Sequence, residues 1–170
     1  NHQIIYQLYY AFVHRNFSVV RFNFRGVGRS QGSFDHGVGE LSDAAAALDW
    51  AQTINPEARS CWIAGFSFGA YVVTRLAKRL QESGMAARRL VLVGTAAGFI
   101  EGDRKYETEA VAPDTIVIHG SEDETVPLAN VLKWAEPLEL PVTVIAGADH
   151  FFHRRLHVIR RIIHDAWRHP

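Results

Sequence analysis

Apolar residues at positions 4, 5, 8, 9, 12 and 13 recur at the i, i+3, i+4 spacing of a helix packed on one side. This predicts a helix over about residues 2–14. The period then changes. Val20, Phe22 and Phe24 alternate with Val19, Arg21 and Asn23, which predicts a strand over about 18–24 running into the glycine-rich stretch Arg25–Gly32. Leu41, Ala45 and Leu48 place a helix over 38–53, and the run Cys61-Trp62-Ile63-Ala64 places a strand over 60–66. Phe68, Val72, Leu76 and Leu80 share one stripe of the next helix, whose end is marked by basic residues and Gly84. Further apolar runs predict strands at 89–94, 115–119 and 141–146. A mixed segment (95–114) and a helix near 127–136 separate them, and a last helix over 154–168 buries Leu156, Ile159, Ile163 and Trp167.

Near-continuous apolar strands alternating with helices describe an α/β fold with a mostly parallel sheet covered on both faces. No repeat, linker or low-complexity tract divides the 170 residues, so one domain over 1–170 is expected. Eighteen basic and eighteen acidic side chains cancel, and no nucleic-acid partner or membrane surface is indicated. The single cysteine, Cys61, excludes an internal disulfide, and no apolar run approaches the ~18 residues that span a bilayer. A reducing, cytoplasmic setting is the expectation, and a homo-oligomer stays open.

In a parallel sheet of this kind, chemistry gathers at the C-terminal ends of strands. Gly65-Phe66-Ser67-Phe68-Gly69 stands at such an end, between a predicted strand and a predicted helix. A nucleophile on so tight a turn needs glycine two positions away, where a Cβ would collide across the turn. The helix that follows points its positive end and free N–H groups at the place where an oxyanion would form. A helix-capping serine is the plainer reading of the same residue.

A serine hydroxyl needs a base, and the base needs an orienting acid. Asp123 follows the strand ending at His119, and His150 follows the strand ending at Ala146, giving the chain order Ser67, Asp123, His150. Asp123 could instead cap the turn before Val126-Pro127, and Glu122 or Glu124 could be the acid. Asp149 reads as a turn former, His119 as a structural histidine within a strand, and His153 as the near rival of His150.

Four segments together, F-N-F-R-G-V-G-R-S-Q-G (22–32), G-F-S-F-G-A (65–70), H-G-S-E-D-E-T-V-P (119–127) and G-A-D-H-F-F (147–152), resemble the α/β-hydrolase superfamily, and within it small bacterial serine hydrolases related to the dienelactone hydrolases. The resemblance implies Ser67 as nucleophile, His150 as general base and then acid, Asp123 as its carboxylate, and the Phe68 amide as one oxyanion donor. It implies no cofactor or metal and a small-molecule acyl substrate. The elbow carries serine where dienelactone hydrolases carry cysteine, and Cys61, six residues upstream, reads as a core residue. The superfamily's strand before the first helix, whose loop gives a second oxyanion amide, has no counterpart here. The chain is therefore expected to be part of a longer protein, lacking N-terminal strands, with a slot between the strand of Val20, Phe22 and Phe24 and that of Trp62 and Ala64.

Gly26, Gly28 and Gly32 miss the G-x-G-x-x-G spacing by one residue, which argues against a dinucleotide site. Arg154, Arg155, Arg160, Arg161 and Arg168 read as the solvated face of the last helix. The expected function is hydrolysis of an ester or related acyl bond through an acyl-enzyme. A non-catalytic binding module with the same fold, or acyl transfer, are the alternatives. A histidine base would make activity rise with pH through about 6 to 7.

Overall fold

The computed structural model describes residues 4, 5, 8, 38–57, 61–100 and 104–168. The predicted strand at 18–24, the glycine-rich loop at 25–32 and the expected slot beside Trp62 lie outside the described residues. From Val38 onward the order is α1 (Val38–Ile54), β1 (Trp62–Phe66), α2 (Phe68–Glu82), β2 (Arg89–Val93), β3 (Gly98–Ile100), β4 (Arg104–Tyr106), β5 (Ile116–Gly120), α3 (Leu128–Ala135), β6 (Thr143–Ile145) and α4 (Leu156–Arg168). A single 3-10 turn, Glu136–Leu138, follows α3.

Strands β1, β2, β5 and β6 form a parallel sheet in the order β1-β2-β5-β6. The two-residue period of each strand sorts its side chains between two cores. Phe66, Val91, Val93, Ile116 and Ile118 face a cluster completed by Ile159 and Ile163 of α4 and by Ile4 and Leu8. Residues 4, 5 and 8 are helical, and Ile4 and Leu8 are buried against the sheet, as their spacing predicts. Val117 points the other way, toward Ala44 of α1, Tyr71, Val72 and Leu76 of α2, and Val131 and Ala135 of α3. Leu90 and Leu92 meet Ala70 and Val73 of α2 on that side. Both faces are thus covered, which is why the strands lack polar alternation.

Helix α2 ends where its sequence says it should. Gly84 takes φ +75°, and the Met85 amide donates back to Leu80 O at 2.8 Å, closing the last turn. The segment 95–114 departs from its reading as merely mixed. It contains an antiparallel hairpin, with Gly98 opposite Tyr106 and Ile100 opposite Arg104. Three-residue strands are too short to display a period. Asn130 of α3 fixes this hairpin by donating to Ala97 O and Phe99 O, each at 2.9 Å.

Candidate active site

Ser67 stands between β1 and α2 with φ 57° and ψ −118°, a conformation costly for a residue bearing a Cβ. Backbone bonds to the neighbouring strand hold it there: Ser67 N donates to Val93 O at 2.8 Å, and Ser67 O accepts from Ala96 N at 3.2 Å. A Cβ on Gly65 would lie 2.6 Å from Gly69 O and 2.8 Å from Ala70 Cα, so the predicted steric need for glycine before the serine is real. The Ser67 hydroxyl makes no capping bond to α2. It meets His150 instead, with Nε2 3.0 Å from Ser67 Oγ.

The other ring nitrogen, Nδ1, lies 2.7 Å from Asp123 Oδ2. Two loops bring this pair together across 27 residues of sequence. The loop after β5 is stitched to the loop after β6 by Ser121 N to Ile145 O (3.1 Å), Glu122 N to Ala148 O (2.9 Å) and Gly147 N to Ser121 Oγ (2.7 Å). Gly120 permits the approach, because a Cβ there would sit 2.3 Å from Ala148 O. Asp123 fills both roles that the sequence left open. Its Oδ1 accepts from Thr125 N (2.9 Å) and Val126 N (2.7 Å), fixing the turn, while Oδ2 receives the histidine. Glu122 and Glu124 are exposed, whereas Asp123 is buried.

His150 is 2% exposed, so its hydrogen bonds are shielded from competing water. Phe66 and Phe151 flank its ring, with centroids 5.0 and 5.1 Å away. Gly94, at the end of β2 with φ +57°, leaves room for it. His153 does not join the group. Asp149 holds it through a hydrogen bond to the ring and another to its backbone N, and His153 is largely exposed. Partial burial would raise the Asp149 carboxyl, but the His153 bonds outweigh it and leave Asp149 below its ordinary range.

Two neighbours were not singled out for this chemistry by the sequence. One is Gly94, whose only sign is its place directly after an apolar strand. The other is His119, which is wholly buried beneath Asp123, with Nε2 2.8 Å from Val126 O and 3.3 Å from Asp123 Oδ2. Burial lowers its pKa, outweighing the Val126 carbonyl and the Asp123 charge. Cys61 is half-buried just before β1, and desolvation pushes its thiol up, consistent with an inert residue. The described residues contain no cluster of three or more His, Cys, Asp or Glu that could hold a metal ion. No described helix is long and apolar enough to cross a membrane.

Ser67, His150 and Asp123 thus form one hydrogen-bonded Ser-His-Asp series on a nucleophile elbow, an arrangement suited to acyl-bond hydrolysis. Comparison with known proteins agrees. Residues 2–106 match the family described as serine aminopeptidase, S33. An uncharacterised protein of Rickettsia prowazekii is 36% identical over 175 residues, covering 97% of this chain and 71% of that one. Among solved structures, an α/β serine hydrolase without lid from Xanthomonas campestris is 35% identical, with a TM-score of 0.83, covering 98% of this chain and 73% of that one. An α/β serine hydrolase homologue from Coxiella burnetii is 36% identical, with a TM-score of 0.77 and coverages of 96% and 75%. The chain belongs to the serine aminopeptidase S33 family within the α/β-hydrolase superfamily.

Proposed function

We propose that the protein cleaves an ester or related acyl bond of a small molecule, with Ser67 as nucleophile, His150 as general base and acid, and Asp123 as the carboxylate that orients it. The observation that carries this reading is the pair of bonds at His150, 3.0 Å to Ser67 Oγ and 2.7 Å to Asp123 Oδ2. His150 Nε2 takes the hydroxyl proton as Ser67 Oγ attacks the carbonyl carbon. The Phe68 N–H, at the start of α2, donates to the developing oxyanion. His150 then protonates the leaving group. Water attacks the acyl-enzyme by the same route and releases the acid.

The hairpin β3–β4 forms the acyl side of the pocket in this reading. Its Tyr106 packs edge-to-face against Phe68 and Tyr71 with centroids 6.2 and 5.1 Å apart, which supports an apolar acyl group. The finer link to dienelactone hydrolases rests on the motifs at 119–127 and 147–152, and a cytosolic setting rests on the lone Cys61. The family's name points to peptide amides, and the relative from Xanthomonas is a hydrolase without a lid. A small ester is the substrate class we favour, on the aromatic packing of Tyr106 against Phe68 and Tyr71 beside the elbow.

The test is labelling by a fluorophosphonate, followed by turnover of p-nitrophenyl acetate against alanine p-nitroanilide. Labelling at Ser67 that vanishes in Ser67→Ala, with ester turned over faster than anilide, is the expected result. A protein that neither labels nor hydrolyses would be a binding module on this fold.

A further inference from the structure

The donors on the Asp123 carboxylate belong to the turn and the triad: the amides of Thr125 and Val126 on Oδ1, and His150 on Oδ2. A second histidine lies beneath them. His119 lies on β5, is 0% exposed, and donates from Nε2 to Val126 O (2.8 Å), with Asp123 Oδ2 3.3 Å away. Both neighbours of Nε2 are acceptors, so Nε2 carries the hydrogen. Its Nδ1 is buried without a hydrogen-bond partner. A proton there would be a buried, unpaired N–H on a charged ring, which the site disfavours strongly. Geometry therefore selects one state, the neutral Nε2–H tautomer. The ionisable groups whose charge reaches the ring are Asp123 and His150.

We infer that His119 is a positioning residue, which holds the Asp123 carboxylate in the direction that His150 requires for turnover. The inference rests on the triad reading of Ser67, His150 and Asp123. Val126 joins the two ends of the device: its N–H binds Asp123 Oδ1, and its C=O receives His119. Without His119, the Val126 carbonyl loses its donor and the turn that holds Asp123 Oδ1 loosens, so the Asp123–His150 pair can rotate together away from Ser67. An apolar residue at 119 would fill the space but leave the Val126 carbonyl unpaired. The neutral state matters as well. A cationic His119 would compete with the imidazolium of His150 for the same oxygen and weaken the stabilisation of charge as Ser67 attacks.

The test compares His119→Leu with His119→Gln in the full-length protein, using p-nitrophenyl acetate. Gln can place a side-chain N–H where Nε2 stood. We expect the Leu variant to lose kcat by about 10- to 100-fold with KM within about twofold, as displacement of a catalytic group does. Gln should return most of that loss. A folded Leu variant with the parent's kcat, a loss confined to KM, or equal losses in Leu and Gln would each overturn the inference. If the variants do not fold, ¹⁵N-histidine spectra of the parent decide. A neutral Nε2–H tautomer for His119 throughout pH 5 to 8 sustains the inference, whereas an Nδ1–H tautomer or titration within that range defeats it. Ser67→Ala is measured in parallel. If its turnover persists, the triad reading fails; if it vanishes while His119→Leu is indifferent, only the role of His119 fails.

Discussion

A Cβ placed on Gly94 would stand 3.3 Å from Cε1 of His150 and 3.2 Å from Cε1 of Phe66. The tip of β2 thus fixes how closely the histidine ring can lie against the sheet. Gly94 also holds φ +57°, where a side chain costs about 1–2 kcal/mol. Gly94→Ala should lower stability by that amount in urea unfolding. It should also reduce kcat, because the ring can yield only by moving off Ser67. Unchanged kcat in a folded variant would mean that Phe66 gives way instead.

Ser67 bears backbone strain at φ 57° and ψ −118°. Ser67→Ala and Ser67→Gly both delete the hydroxyl and its bond to His150, so their difference isolates the backbone. Such strain costs about 1–3 kcal/mol, and the extra chain entropy of glycine takes back about 0.5–1 kcal/mol. Ser67→Gly is expected to be the more stable of the two inactive proteins by about 1 kcal/mol. Equal unfolding midpoints would show that the elbow is relaxed.

Asp123→Asn separates the two jobs of this residue. The amide oxygen can keep the bonds from Thr125 N and Val126 N, so the turn should survive. The amide nitrogen then faces Nδ1 of His150, donor against donor, and the histidine must adopt the tautomer that cannot accept the Ser67 proton. Turnover should fall on the order of 10⁴-fold while the circular dichroism spectrum is kept. A loss below tenfold would point to another acid.

Much of this site was legible because it rests on local patterns. The elbow announces itself through Gly65 and Ser67, and Asp123 and His150 each follow a mostly apolar strand. The choice among Glu122, Asp123 and Glu124 depends on which side chain turns inward, and burial settles that only in three dimensions. The hairpin Gly98–Tyr106 stayed hidden because its strands have three residues each and pair through the backbone. His119 read as an ordinary strand histidine. Nothing local reveals that Val126 and Asp123 fold back over it.

Cys61 offers a check on burial without touching the site. Desolvation raises its thiol above the ordinary 9.0, so little thiolate exists near neutral pH. At pH 8, alkylation of the folded protein by iodoacetamide should be slower than in urea by about tenfold or more. Similar rates, read by mass spectrometry, would place the thiol in water rather than at the edge of the core.

The last expectation joins His119 to stability. Burial lowers its pKa in the folded protein, chiefly by penalising the charged ring, whereas the unfolded chain titrates near the ordinary 6.5. As pH falls below about 6.5, the unfolded state takes up a proton that the folded state refuses. The unfolded state then binds more protons, so stability rises with pH in this window and is lost on acidification toward the folded value. Asp149 acts in a separate, more acidic range. Its lowered carboxyl contributes stability above the unfolded value of 3.8, lost only as pH falls through the folded one. Between pH 5 and 7.5, therefore, the decline in unfolding free energy should be steeper for the parent than for His119→Gln, which has no proton to gain at this position. Parallel pH profiles for the two proteins would show that residue 119 is as readily protonated inside the fold as outside it. The buried neutral ring beneath Asp123 would then be untenable.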